Sequence, residues 1–259
     1  MKLKQIILLV LCTVGMIFLS GCFYLRLREV KNQLADFDKY YIIEDSKQLF
    51  ISAKTPVLYP DDIVRIMRSD PTAKEQTKSE LYYDYILEKQ YASAKDEQGD
   101  YDIKMRFSFA GGKLNKIVID EPFFAIIPKN VFIALIKSFG SAKIDIINRR
   151  ALISPKIDEL RLPDKNEVVV LLGKPSWQRD NRYVYNYLRK SPNAKNNKKL
   201  LPADFIFDKQ GNCIKCRSMV LGEITCSPLK QLPADANASA STEACSGGQA
   251  VQIKTVISR

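Results

Sequence analysis

The sequence predicts an α+β protein made of two tandem units, each of short helices packed on a three- to four-stranded antiparallel sheet, behind an N-terminal signal segment. Three observations carry this. A capped helix followed by two aromatic-rich strands and a third strand occurs twice, about a hundred residues apart. With 46% hydrophobic residues in 259, the chain has enough apolar material to bury a core along most of its length. A unit of about 60 to 70 residues buries little of its own surface, so a pair that shares a core is the more stable arrangement.

Taken in order, the first 21 residues form a signal. Lys2 and Lys4 make a positive start, Ile6 to Phe18 an apolar run, and Leu19-Ser20-Gly21-Cys22 resembles the bacterial lipobox. In such a box the chain is cut between Gly21 and Cys22, and the Cys22 thiol carries a diacylglycerol. The competing reading is an uncleaved membrane anchor, but the run falls short of the roughly 20 apolar residues that span a bilayer. Removing residues 1–21 takes Lys+Arg from 40 to 38 against 29 Asp+Glu, a net charge of +9. Residues 22–52 read as a membrane-proximal helix and hairpin. Leu27, Val30, Lys31 and Leu34 make the helix amphipathic, and the runs Tyr40–Ile43 and Leu49–Ser52 pair around Asp45-Ser46-Lys47.

Residues 53–122 form the first unit. Asp61 or Asp62 caps Ile63–Met67, and Pro71 ends the segment. Tyr83-Asp84-Tyr85 and Phe107-Ser108-Phe109 read as strands, with Gly112 in the turn that follows. Residues 123–162 connect the units through a helix over Pro128–Lys137, closed by Gly140, whose apolar stripe is Val131, Phe132, Leu135 and Ile136. Residues 163–226 form the second unit. Asp164 caps a helix whose apolar positions run from Val168 to Leu172, Gly173 supplies a left-handed cap, and Pro175 blocks continuation. Tyr183, Tyr185 and Tyr187 alternate on one strand and Phe205 and Phe207 on the next. Asp208–Gly211 then turns into a third strand near Cys213. Tyr83 falls opposite Tyr185 at an offset of 102, and Phe107 opposite Phe205 at 98. The segment 227–259 is rich in Ala, Ser and Gly and reads as a disordered tail.

The run "EVVVLLGKPSW", then "YVYNYLRK", then "ADFIFDKQGN" resembles the BamE (SmpA/OmlA) family of small outer-membrane lipoproteins. Shared with that family are a short helix ending in Leu-Gly-x-Pro and an aromatic first strand followed by two more. The first unit departs from the pattern at Arg68-Ser69-Asp70-Pro71, where the glycine is missing. The tandem arrangement is also similar to the β-lactamase-inhibitory protein fold. The BamE resemblance implies a non-enzymatic accessory role near outer-membrane protein assembly or envelope integrity, with envelope or outer-membrane proteins as partners and no cofactor.

The chain has no histidine, which excludes the common Ser-His triads, most zinc sites and c-type haem. No paired carboxylates stand out, so the expectation is a protein without catalytic residues, metal or cofactor. Anionic lipid is a natural counter-charge for a basic envelope protein, and nucleic acid is not. Cys213 and Cys216, three apart on a strand, are expected on opposite faces, and a bridge between Cys216 and Cys226 fits an oxidising compartment. The expected location is the cell envelope, held by the lipid on Cys22, on the periplasmic face of the outer membrane in a Gram-negative cell. Two readings of the body follow: a protein-interaction scaffold, or a module that grips an enzyme or glycan with Trp177, Tyr183 and Tyr187 on the concave face of its sheets.

Overall fold

The computed structural model describes residues 23–93, 99–145, 150–152, 162–190, 200–218, 222–225 and 252–254. Its elements in chain order are α1 (23–35), α2 (Phe37–Tyr40), β1 (Tyr41–Asp45), β2 (Leu49–Ala53), α3 (Pro60–Met67), β3 (Ala73–Gln76), β4 (Glu80–Gln90), β5 (Ile103–Ala110), β6 (Lys113–Ile119), α4 (Phe123–Ile126), α5 (Lys129–Phe139), β7 (Lys143–Asp145), β8 (Arg150–Leu152), α6 (Lys165–Leu172), β9 (Trp177–Arg179), β10 (Arg182–Arg189), β11 (Leu200–Phe207), β12 (Cys213–Ser218), β13 (Gly222–Thr225) and β14 (Gln252–Lys254). The protein is α+β, a large antiparallel sheet with several short helices. The strands are thus not confined to the small three- to four-stranded sheets expected from the sequence. At 11 residues, β4 is long enough to carry β3 on its first half and β10 on its second.

Two compact units are distinguished, and their bounds do not follow the chain segments read from the sequence. The described part of the first holds residues 23–84, 106–118, 136–145 and 150–152; that of the second holds 85–93, 99–105, 119–135 and the described residues from 162 onward. In the first unit β1 pairs with β2 from Tyr41↔Ala53 to Asp45↔Leu49, and the strand order continues through β6 and β5 to β4. Gly111 and Gly112 both have positive φ (56° and 75°), which gives the β5–β6 hairpin a turn whose twist matches its strands. Leu49, Ile51, Leu58, Ile63, Tyr83, Phe107, Phe109 and Leu114 form the buried core of this unit.

In the second unit the later half of β4 pairs with β10, followed by β11, β12, β13 and β14, with β9 laid along the start of β10. Strict alternation buries Tyr183, Tyr185 and Tyr187 on β10 and Phe205 and Phe207 on β11. Each such ring contributes about 1.5–3 kcal/mol by leaving water. The expected opposition of Cys213 and Cys216 does not hold. Phe207 pairs with Cys213 and Ile206 with Lys215, so Ile214 is a bulge residue without a cross-strand partner. The extra residue resets the alternation, and both cysteines are buried.

Helix ends explain the local structure. Asp164 caps α6 as expected, Oδ1 accepting from Asn166 N (2.8 Å) and Glu167 N (2.9 Å); Glu167 Oε2 accepts in turn from Asp164 N (2.9 Å), which makes the cap a reciprocal box. Gly173 ends α6 with φ 68° and ψ −159°; the positive φ was foreseen, but the ψ lies outside the left-handed helical region, where only glycine is at ease. For α3 the expected cap is corrected. The cap position is Tyr59, and Asp62 sits three residues in, its carboxylate accepting from Tyr59 N (2.9 Å). This helix stops at Arg68, which adopts φ 54° and ψ 31°, well before Pro71. The runs α3-β3-β4-β5-β6 and α6-β9-β10-β11-β12 have the same order of elements, and both helices are eight residues long.

Candidate functional site

The most developed polar site of the first unit joins α1 to α3. Asp62 is 1% exposed, and Arg26 grips it with both ends of its guanidinium: Nε donates to Oδ2 and Nη2 to Oδ1, each at 2.7 Å. Burial opposes ionisation of Asp62. The Arg26 hydrogen bonds, the Tyr59 N–H and the charges of Arg26 and Arg65 outweigh it and hold the carboxyl below its ordinary range. The Arg26 guanidinium lies 5.0 Å from the Tyr59 ring centre, and that of Arg65 lies 5.3 Å from the ring of Phe23 at the start of α1. Beside this clasp opens a cleft of about 520 Å³, lined by Arg26, Tyr59, Asp61, Arg65, Leu81 and Tyr83 among others.

Two further contacts fix the far end of α1. Gln33, 3% exposed, donates from Nε2 to Thr55 O (3.0 Å), and its Oε1 accepts from the Tyr41 hydroxyl (3.2 Å). Burial first, and then the charge of Glu29, push the Tyr41 phenol up to about 12. Gly140 lies so close that a side-chain carbon there would stand 2.2 Å from Ala35 N. That glycine is required by close approach.

The second unit contains a buried cation that the sequence reading passed over. Lys89 is 2% exposed, and its ammonium donates to Leu172 O at the end of α6. It is flanked by the rings of Tyr91, Tyr101 and Tyr185 at 4.7, 4.8 and 5.4 Å. Tyr185 donates its hydroxyl to Gly173 O (3.0 Å). The Leu172-Gly173 step is therefore a helix terminus whose last carbonyls take a cation and a phenol, the arrangement that the negative end of a helix favours. A side-chain carbon at Gly173 would lie 2.6 Å from the Tyr101 ring and 2.9 Å from Lys89 Nζ. A signal for Lys89 existed: Tyr83, Tyr85, Leu87 and Lys89 share the inward phase of β4.

Of the residues singled out as contacts, Trp177 is 45% exposed on β9 with the Arg182 guanidinium 5.8 Å from its ring. Tyr183 and Tyr187 are core residues instead. The Tyr187 hydroxyl has no hydrogen-bond partner among the described residues, and burial raises its pKa. It borders an apolar cavity of about 20 Å³ lined by Leu87, Ile103, Phe123, Ile126 and Ser218 among others, room for roughly one water. Gly21, Cys22 and Cys226 lie outside the described residues; Cys216 Sγ is 3.4 Å from Ile126 O. Among the described residues no helix is long and apolar enough to cross a membrane. No protein-family model, curated protein or solved structure matches the chain.

Proposed function

We propose that the chain is a lipid-anchored protein of the cell envelope, tethered through Cys22, that works without catalysis as a protein-interaction scaffold, in the manner of the BamE-like lipoproteins it resembles. The observation that carries this reading is the lipobox followed without a linker by a helix that the body grips. Helix α1 begins at residue 23, next to the lipid-bearing position, and the Arg26–Asp62 pair holds it. A tether so short keeps the body at the membrane surface.

The body in this reading is a duplicated module. Matched side-chain contacts support it. Tyr83 meets Phe109 edge-on at 5.1 Å and 65°, and Tyr183 meets Phe207 at 5.3 Å and 72°. Arg106 holds Asp84 bidentately (2.7 and 2.8 Å), and Arg182 holds Asp204 (2.9 and 2.6 Å). Each unit thus carries one bidentate Arg–Asp pair across its first two long strands, with the charges in opposite orientation; the second pair is diagonal, since Val184, not Arg182, lies directly opposite Asp204.

The rival reading, a gripping module, relied on three aromatics, and burial of Tyr183 and Tyr187 leaves it Trp177 alone. Proximity labelling from the full-length chain in its own cell tests the scaffold. Labelling concentrated on envelope proteins, and lost in a Cys22→Ala variant, is the expected result; a labelling pattern identical with and without Cys22 overturns it.

A further inference from the structure

The first turn of α1 exposes two large side chains that the body does not use. Tyr24 is 71% exposed and Leu25 64%, the highest values among the exposed large hydrophobics apart from Val170. The rest of that exposed face changes character: Arg28, Glu29 and Asn32 follow, all exposed and polar. The apolar part is therefore one turn long and lies at the end of the helix where the chain enters from Cys22. Consecutive Cα atoms are 3.8 Å apart, so Tyr24 and Leu25 are two and three residues from the acylated position. No linker separates them from the bilayer that holds the acyl chains.

We infer that the first turn of α1 is seated in the membrane interface, with Tyr24 and Leu25 in the headgroup region beside the Cys22 lipid. This rests on the lipid-anchor reading and adds to it an orientation. A tyrosine and a leucine at that depth suit an interface, where one end of the phenol is wet and its ring is apolar. Exposed Arg28 and Arg65 flank the turn, with Arg65 already over the ring of Phe23, and they place positive charge at headgroup level. The helix cannot swing away from this position, because Arg26, Gln33 and Ala35 hold its two ends against the first unit. Thirteen residues at 1.5 Å each make α1 about 20 Å long, so its distal end stands well apart from the anchoring turn.

The test uses full-length, lipidated protein in vesicles of phosphatidylcholine and phosphatidylglycerol with brominated acyl chains. Trp177, the chain's one tryptophan, is replaced by Phe, and single reporters are introduced as Tyr24→Trp, Leu25→Trp and Asn32→Trp. The expected result is a blue-shifted emission and quenching at 24 and 25 at least about twofold stronger than at 32, as a shallow insertion of 5–10 Å requires. Equal quenching at 24 and 32 in protein whose mass shows the lipid on Cys22 overturns the inference and leaves the anchor standing. An unmodified Cys22 by mass overturns the anchor reading, and this inference with it.

Discussion

The two eight-residue helices α3 and α6 hold equivalent places in their runs, and their ends are held by different means. At its start α6 is capped mainly from within, since Asp164 and Glu167 satisfy each other's amides within three residues of sequence, with Lys165 N donating to Gly211 O. The start of α3 depends on Asp62, whose carboxylate is fixed by Arg26, 36 residues away on α1. At the other end the dependence reverses. Helix α3 finishes on an ordinary residue, Arg68, in a left-handed turn, and α6 on a glycine that must leave room for Tyr101 and Lys89. Helix α3 is thus tied to α1, at the start of the described residues, whereas α6 is tied inward to a buried cation. Two helices of equal length at equivalent places in their runs are held by contacts of different kinds.

The largest expected effect breaks the second of these ties. Gly173→Ala puts a Cβ into a backbone conformation that is nearly exclusive to glycine and against two side chains. The expected cost is about 3 kcal/mol or more, read as a lowered denaturant midpoint. Its counterpart, Arg68→Gly, relieves a left-handed non-glycine residue and should be neutral or gain up to about 1 kcal/mol. Equal costs at both sites would remove the contrast drawn between the two helix ends.

Next comes the tie to α1. Asp62→Asn keeps the shape but discharges a buried ion pair, and should cost about 2 kcal/mol at neutral pH. The pH dependence follows in sign. The folded pKa of Asp62 lies below its unfolded value, so its contribution is full above the unfolded pKa and is lost as pH falls through the folded one. Thermal melts from pH 6 down to pH 2 should therefore show the difference between wild type and Asp62→Asn shrinking towards the acid end. A constant gap would mean that packing, and not charge, holds α1.

Two neighbouring tyrosines sharpen the reading of α6. Tyr185→Phe removes a donor to Gly173 O and should cost about 1 kcal/mol, whereas Tyr187→Phe removes a buried hydroxyl with no partner among the described residues and should be neutral or stabilising. Opposite outcomes from the same chemical change two residues apart are the signature; parallel losses would indicate a partner for Tyr187.

Much of this was readable beforehand where the signal is local. The cap at Asp164, the glycine after Leu172, the alternating tyrosines of β10 and Gly112 before β6 each act within a few residues, and each stands where the pattern put it. Signals that depend on topology were not readable. The Arg26–Asp62 pair needs α1 and α3 side by side, and nothing in the spacing of 36 residues says so. The cysteines went astray for a different reason: one bulge at Ile214 adds a residue, and period-two reasoning beyond it points to the wrong face. Lys89 obeyed the period but was passed over because a lysine at an inward position looks like a strand's polar end. Tyr91 is close in sequence, but Tyr101 and Tyr185, which help make that position tolerable, come from elsewhere in the chain.

The smallest expected effect bears on duplication itself. If the two runs descend from one module, the charge pair across their first two long strands works in either orientation, because both orientations occur in this chain: Asp84 with Arg106, and Arg182 with Asp204. Exchanging the second pair as Arg182→Asp together with Asp204→Arg gives it the charge orientation of the first, an acid on the first strand and an arginine on the second. The double variant should match the wild-type denaturant midpoint closely, while each single reversal, which sets like charges across the strands, should lie below it. The partial exposure of both pairs keeps all these differences small, so the comparison must be made at low salt, where surface charges are least screened. A double variant no better than the singles would show that the two strand pairs do not offer interchangeable sites, and the paired charges would lose their meaning as a trace of copying.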